Sequence, residues 1–209
     1  RRRGARVASQ HGCAVRLHRV GTKWHSYLHA CLRQGTTHTR DHRHNLHALC
    51  RRVKELFGLD RCSFLCGDAL EFLAAGDEKF DLCIASGILY HMVEPVRLIE
   101  LISSRARRLI MWTHFYDDDA LANRRLAKRL GAAQASEHAG FAHRVHRHRY
   151  GSDTRLGGFC GGTQPYSHWL PREELLRALA HFGWGDVEIA FEEKSHPNGP
   201  ALALVATRR

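Results

Sequence analysis

The sequence predicts an α/β fold, with a mostly parallel β-sheet that closes in an antiparallel hairpin at its C-terminal end. Three observations support this class. Residues 82–85 form a short run that is apolar on both faces, as in a strand buried within a parallel sheet. Helical and strand patterns alternate along the chain from residue 46 onward. Residues 172–206 then have the order helix, strand, turn and strand, which places an antiparallel pair at the end.

Each element is predicted from its apolar spacing and its flanking residues. Helical spacing predicts helices at residues 46–57, 69–75, 96–102 and 172–182. Short apolar runs predict strands at residues 62–65, 82–85, 109–113, 187–191 and 201–206. Gly58 and Gly183 follow helical patterns and are expected to end them. Arg105, Arg107 and Arg108 are expected to form a solvated turn.

Residues 80–95, with the sequence FDLCIASGILYHMVEP, organise the rest of the chain. The predicted strand gives way to Ser86 and Gly87, and Tyr90 and His91 follow where the chain leaves the sheet. Glu94-Pro95 is expected to open a helix, because proline is tolerated at the first helical position and an acid is favourable near the positive end of the dipole. Since ligands bind at the carboxyl edge of an open α/β sheet, a binding site is expected here.

This block resembles the fourth-strand region of class I S-adenosylmethionine-dependent methyltransferases, especially bacterial members that carry an LYH segment before an acid- or alanine-rich helix. The resemblance covers about residues 46–209. It implies a Rossmann-like methyltransferase sheet, S-adenosylmethionine as cofactor, and methyl transfer to an oxygen or nitrogen of a small-molecule acceptor. The sheet is expected to be incomplete at its first strand, because residues 1–48 contain no glycine-rich G-x-G-x-G turn.

The resemblance also suggests residues of the cofactor site. Gly67, Asp68 and Ala69 would meet the adenine edge after the third strand, although Asp68 is also well placed simply to cap the helix at 69–75. Ser86 and Gly87 would line the cofactor site, and Tyr90 would pack against the methionine end of the cofactor or against the acceptor.

His91 and His114 are the candidate general bases. Each is expected at the carboxyl end of a central strand, where a histidine can titrate near neutral pH. The alternative for each is a hydrogen-bonded structural histidine. A base assists transfer to an oxygen acceptor, while the cofactor supplies the reactive carbon.

Residues 114–168 are interpreted as a long polar insertion that selects the acceptor. A helix is expected at 120–130, and the alternation at 142–150 favours a basic edge strand or a hairpin. Glycines at 157–162 indicate tight turns or a mobile lid. Tyr116 and Trp169, at the two ends of the insertion, are the candidate acceptor-binding residues. No metal site is expected, because the histidines of 142–150 have too few partners for zinc.

Composition separates the chain into two parts. The net charge is +11, but residues 1–50 hold 10 Lys/Arg against one acid and 8 of the 17 histidines, whereas residues 51–209 hold 22 Lys/Arg and 20 acids. Mean hydropathy is −0.40 and no apolar run approaches the ~20 residues of a membrane span. Seven irregularly spaced cysteines favour reduced thiols. With no signal-peptide pattern, we expect a cytoplasmic protein without membrane contact.

Three interpretations of the leader, residues 1–48, stay open. It is a divergent or disordered basic segment, a nucleic-acid-binding arm, or a segment translated out of frame. The leader shows an apolar cluster at 14–20, some helical spacing at 27–32, and only Asp41 as a substitute for the ribose-binding acid of the second strand. Residues 49–209 are expected to form the methyltransferase-like domain.

Two further functions compete with a small-molecule methyltransferase. One is an RNA-modifying or RNA-binding protein that uses the basic leader. The other is a non-catalytic remnant that lacks a working cofactor site. The near balance of charge in residues 51–209 favours a small-molecule acceptor over RNA.

Overall fold

The computed structural model describes residues 13–20, 25–31, 52, 55–58, 62–118, 124–151 and 164–209. Within them the strands are β1 (Cys13–Val20), β2 (His25–Cys31), β3 (Cys62–Gly67), β4 (Phe80–Ser86), β5 (Ala106–His114), β6 (Leu130–His138), β7 (Phe141–Arg149), β8 (Tyr166–Trp169), β9 (Trp184–Glu193) and β10 (Ala201–Arg208). The helices are α1 (Ala69–Ala75), α2 (Pro95–Arg105), α3 (Arg124–Ala127) and α4 (Arg172–His181), with a 3-10 helix at Leu89–His91. Most of the predicted helix at 46–57 and the glycines at 157–162 lie outside the described residues.

A seven-stranded sheet has the order β3-β1-β2-β4-β5-β10-β9. β2, β4 and β5 are parallel neighbours, whereas β1 runs antiparallel to β2 and β3, and β10 runs antiparallel to β5 and β9. β3, β2, β4, β5 and β9 therefore point the same way. This confirms the α/β class and the antiparallel C-terminal hairpin.

β1 and β2 are strands that the sequence pattern did not identify. The helical spacing at residues 27–32 was a wrong indication, because β2 lies in the sheet between β1 and β4. Backbone pairing with a distant strand outweighed a weak local pattern. Residues 1–48 contain no glycine-rich turn in sequence, and apart from β1 and β2 this segment lies outside the described part of the chain.

The core lies between one face of this sheet and helices α1, α2 and α4. Cys83 and Ala85 of β4 and Leu109 and Met111 of β5 are fully buried, together with residues of all three helices. Burial raises the pKa of the Cys83 thiol to about 12, so this thiol is chemically inert. The opposite face is less covered, and the paired residues Ile110 and Val205 are 38% and 37% exposed.

Arg105 corrects the prediction of a solvated turn. It is the last residue of α2 and only 3% exposed, and β5 starts at the next residue. Its guanidinium donates to the backbone carbonyls of Glu78, at 2.5 Å, and Leu73, at 3.3 Å. A buried charge needs such partners. Gly76 leaves room for this side chain, because a Cβ there would lie 2.7 Å from a guanidinium nitrogen.

The insertion folds into a second sheet with the order β6-β7-β8. The hairpin predicted at 142–150 is confirmed, but β7 is central rather than at an edge, since it pairs with both neighbours. Of the helix predicted at 120–130, residues 124–130 are described: only the single turn of α3 is helical, and β6 already begins at Leu130. The hairpin turn uses Ala139 and Gly140, both at positive φ.

Alternation along β7 divides its side chains between two environments. Phe141 packs beside His181 and Phe182 at the end of α4, and buried Val145 lies on the same side. At the other parity, His146 stacks on Tyr116, just after β5, and His148 stacks on Trp169 of β8. The second sheet thus joins the helical core to the candidate site.

Backbone hydrogen bonds attach the second sheet to the main one. His168 of β8 donates from its backbone N–H to the Met92 carbonyl at 2.8 Å and from its ring Nδ1 to the Val93 carbonyl at 2.7 Å. The Tyr116 N–H, just after β5, donates to the Leu170 carbonyl at 2.8 Å. β8 is therefore held against both chain segments that leave β4 and β5. In the part of the chain that the structure describes, no helix is long and apolar enough to cross a membrane.

Candidate functional site

The candidate site lies at the carboxyl edge of the main sheet. β3, β4 and β5 run in the same direction, so the segments that follow them emerge at one edge. The last residues of these strands and the segments that follow them hold the predicted residues Gly67, Asp68 and Ala69, then Ser86, Gly87, Tyr90 and His91, and finally His114 and Tyr116. Ligands bind at this edge in open α/β sheets.

Tyr90 is the centre of a cluster of aromatic and imidazole rings. Its ring centroid lies 4.0 Å from that of His91, 4.7 Å from that of His114 and 6.2 Å from that of Trp169. The 3-10 helix at Leu89–His91 turns the chain sharply after β4, so neighbouring residues of one short segment face this cluster. The structure therefore brings together Tyr90, both predicted bases and both predicted acceptor residues, since Tyr116 packs against the same apolar cluster of Leu126 and Trp169 as Tyr90 does.

His114 has a defined tautomer. Its Nδ1 lies 2.9 Å from the Gly199 carbonyl oxygen and 3.1 Å from the Pro200 carbonyl oxygen. Carbonyl oxygens only accept hydrogen bonds, so Nδ1 carries the proton and Nε2 of the neutral ring carries a lone pair. Desolvation by burial lowers the pKa of His114 below 6.5, although its bonds to the two carbonyls oppose this shift. Neutral His114 can thus accept a proton through Nε2.

His91 is also neutral at physiological pH. Burial, together with the nearby imidazoles of His148 and His114, lowers the pKa of His91 to about 3. Its Nδ1 forms a 3.0 Å hydrogen bond with the hydroxyl of Tyr150, which is only 3% exposed. A histidine with so low a pKa is a weak base.

Trp169 connects the second sheet to this cluster. Its indole stacks with His114, with centroids 5.3 Å apart and planes 6° apart, and with His148 at 4.9 Å and 18°. Gly199, at φ +112°, packs so closely that a Cβ there would lie 2.9 Å from the indole ring. Trp169 is 2% exposed, so it positions its neighbours more than it offers an open surface.

Tyr116, the other predicted acceptor residue, also stacks on a histidine. The Tyr116 ring stacks on the His146 ring with centroids 3.3 Å apart, and its hydroxyl donates to Asp118 at 3.1 Å. Burial and the neighbouring carboxylates raise the pKa of Tyr116, so its hydroxyl stays protonated. Tyr116 has no ring contact with Tyr90 among the described ring pairs, although β8 approaches both segments.

Four residues of the cluster were missed by sequence reasoning: Trp112, His148, Tyr150 and His196. The ring of His196, in the turn before β10, lies 5.1 Å from that of His114. His148 and Tyr150 share one parity in the alternating stretch at 142–150, and that parity could have marked them as facing a common surface. Among the described residues, no group of three His, Cys, Asp or Glu side chains is arranged to hold a metal ion.

The residues around Gly87 fit a cationic cofactor. Gly87 has φ +73°, and a Cβ there would lie 3.9 Å from both the Trp112 ring and the Tyr90 hydroxyl. The rings of Tyr90 and Trp112 meet edge to face at 5.9 Å beside this glycine. Aromatic rings attract cations such as a sulfonium. Asp68 caps α1 at the same edge, where its Oδ1 accepts from the N–H of Leu70 at 2.7 Å. The predicted capping role is confirmed, and adenine recognition by Asp68 stays a prediction.

No protein-family model matches the sequence, and no curated protein matches it. Solved structures do. The N-terminal domain of EvdMO1 with SAH bound is similar at a TM-score of 0.57 and 20% identity, over 78% of this chain and 60% of that chain. The same domain in the presence of SAH and D-fucose is similar at 0.57 and 20%, over 78% and 62%. This chain spans about 60% of the length of those structures. By its sheet order and these similarities, the chain has the fold of class I S-adenosylmethionine-dependent methyltransferases.

Proposed function

We propose that this protein transfers a methyl group from S-adenosylmethionine to a hydroxyl oxygen of a small-molecule acceptor, with His114 as the general base. The observation that carries this proposal is the tautomer of His114. Its Nδ1–H is held by the Gly199 and Pro200 carbonyls, which leaves Nε2 as the proton acceptor beside Tyr90. An oxygen nucleophile benefits from such a base.

The bound cofactor would supply an electrophilic methyl group on its sulfonium. The residues of this chain would then act on either side of it. Gly67, Asp68, Ser86 and Gly87 lie on the cofactor side, and the Tyr90 and Trp112 rings favour positive charge beside Gly87. His114 orients the acceptor hydroxyl and takes its proton at Nε2. Neutral His91 adds no repulsive charge to this side of the site.

The acceptor side is formed by the second sheet. β8 supplies Trp169, and β7 supplies His148, with Tyr150 immediately after the strand. The structure of the EvdMO1 N-terminal domain was determined in the presence of D-fucose as well as SAH, which supports a small hydroxylated acceptor for the present fold. The seven-stranded sheet carries the cofactor residues, and the insertion would select the acceptor.

Calorimetric titration with S-adenosylmethionine and SAH tests the proposal first, followed by measurement of SAH formation with small hydroxylated acceptors. Binding of both cofactor forms is expected. Gly87→Val should weaken SAH binding at least roughly tenfold, since a β-branched residue resists φ +73° and crowds Tyr90 and Trp112. Gly140→Val is the matched control, because Gly140 has φ +77° in the β6-β7 turn with open space around it. Absence of cofactor binding by the unaltered protein would favour a non-catalytic remnant.

A further inference from the structure

We propose that Tyr150 holds His91 in the tautomer with its proton on Nε2, so that His91 donates a hydrogen bond to a second oxygen of an acceptor carrying neighbouring hydroxyl groups. This inference rests on the proposed function, because His114 is taken to bind the reacting hydroxyl. It adds a positioning pair, Tyr150 and His91, and an acceptor class, vicinal diols and catechols.

The chemistry of the two groups sets the direction of the hydrogen bond between Tyr150 and His91. The Tyr150 hydroxyl and His91 Nδ1 are 3.0 Å apart, and the residues are 3% and 9% exposed. A phenol is more acidic than a neutral imidazole N–H, and an imidazole nitrogen is a stronger acceptor than a phenol oxygen. Tyr150 therefore donates to Nδ1. The proton of the neutral His91 ring must then be on Nε2.

The two imidazoles beside Tyr90 thus have opposite hydrogen-bonding roles at Nε2. Nε2 of His114 is an acceptor, because its Nδ1 donates to the carbonyls of Gly199 and Pro200. Nε2 of His91 is a donor, because its Nδ1 accepts from Tyr150. Neither Nε2 has a described hydrogen-bond partner, and both rings contact Tyr90. A hydroxyl to be deprotonated, next to an oxygen that accepts a hydrogen bond, matches this pair.

A third group in the cluster also favours an oxygen-rich acceptor. Nε1 of Trp169 is a buried donor that makes no hydrogen bond to another described residue. A buried donor left without a hydrogen bond is unfavourable, because it has lost its bond to water. Trp169 stacks on His114, and its ring centroid lies 6.2 Å from that of Tyr90, so an acceptor oxygen that reached Nε1 would satisfy this donor.

Tyr150 lies beside His91 because the second sheet holds it there. The Tyr150 N–H donates to the Pro165 carbonyl at 3.1 Å, and β8 is bound to the chain just after the 3-10 helix through His168. Tyr150 and His91 are 59 positions apart in the sequence. The insertion would therefore both cover the acceptor side and set the protonation pattern of a residue in the main domain.

Nitrogen NMR of protein with labelled histidine tests the tautomers without any substrate. At pH 7 the His91 signal should show protonated Nε2, and the His114 signal should show protonated Nδ1. Tyr150→Phe should move His91 toward a mixture of tautomers and leave His114 unchanged. Tyr166→Phe, a second tyrosine of the inserted sheet, should change neither. A His91 signal with protonated Nδ1 in the unaltered protein would overturn the proposal.

Titration with paired probes tests the acceptor class in the SAH complex. Catechol and cis-1,2-cyclohexanediol should bind roughly 3- to 10-fold more tightly than phenol and cyclohexanol, as expected for one added hydrogen bond. The preference should disappear in His91→Phe. Equal binding of diols and monools, or a preference that survives His91→Phe, would refute the role of His91. Failure of SAH to bind would instead count against the proposed function, while leaving the tautomer measurement valid.

Discussion

The substitution His114→Asn tests the proposed base role of His114 separately from its structural hydrogen bonds. An asparagine amide N–H can take the position of imidazole Nδ1–H and keep donating to the Gly199 and Pro200 carbonyls. The substitution removes the lone pair at Nε2, together with the ring that stacks on Trp169. Loss of a general base costs roughly 100- to 10,000-fold in rate, which corresponds to about 2.7–5.5 kcal/mol in the barrier. We expect kcat to fall by this amount, with little change in the Kd for SAH.

The pH dependence of the methyl-transfer rate is a second test of the same substitution. The active base is neutral His114, and burial lowers its pKa below 6.5. The rate should therefore be full at neutral pH and fall with acidification only below pH 6.5, as the ring becomes protonated. In His114→Asn this acid limb should vanish.

Radiolabelled methyl transfer, measured from pH 5 to pH 8 with an acceptor that the unaltered protein methylates, provides the assay. His181→Asn is the control, because His181 is an exposed histidine at the end of α4, away from this cluster. If His114→Asn kept its rate within threefold, or retained the acid limb, the assignment of His114 as the base would be refuted.

Three further predictions concern stability. His91 is neutral in the folded state with a pKa of about 3, while an unfolded histidine titrates near 6.5, so stability should fall as pH drops below 6.5. In urea unfolding between pH 6 and pH 4, His91→Gln should reduce this slope by up to about 1.4 kcal/mol per pH unit; an unchanged slope would contradict the burial argument. Glu174, 3% exposed and bound by two arginines at 2.7 and 3.3 Å, joins α4 to β7. Glu174→Gln should lower the free energy of unfolding by about 1–2 kcal/mol, whereas the exposed Glu173→Gln should have little effect. Equal losses of stability in the two variants would argue against a stabilising role of the two arginine contacts. Gly76→Ala should displace the Arg105 guanidinium and cost about 1–3 kcal/mol, measured as a lower Tm; an unchanged Tm would show that the side chain rearranges freely.

Local sequence patterns were sufficient to predict the elements whose structure depends mainly on residues close to them in the sequence. The prediction of a strand followed by a loop and a proline-led helix at 80–95 is confirmed by β4 and α2. The closing hairpin was predictable because two apolar alternating segments separated by a turn have few other ways to pair. Residues after parallel strands could also be assigned to the carboxyl edge, since this edge follows from strand direction alone.

Arg105 shows where local reasoning failed. A basic cluster between a helix and a strand is usually solvated, and its sequence neighbours gave no sign of burial. The carbonyls that bind it belong to Leu73 of α1 and to Glu78 in the segment after that helix, so the burial of Arg105 depended on how α1 packs against α2.

By itself the sequence determined the α/β class, the edge that carries Tyr90, His91 and His114, and the presence of an insertion. Only the tertiary structure decided what each histidine can do. His114 receives its tautomer from carbonyls 85 and 86 positions away, and His91 pairs with a hydroxyl from the inserted sheet 59 positions away. The physical reason is that the tautomer and pKa of an imidazole depend on its hydrogen-bond partners and burial, and neither is encoded in the residues next to it.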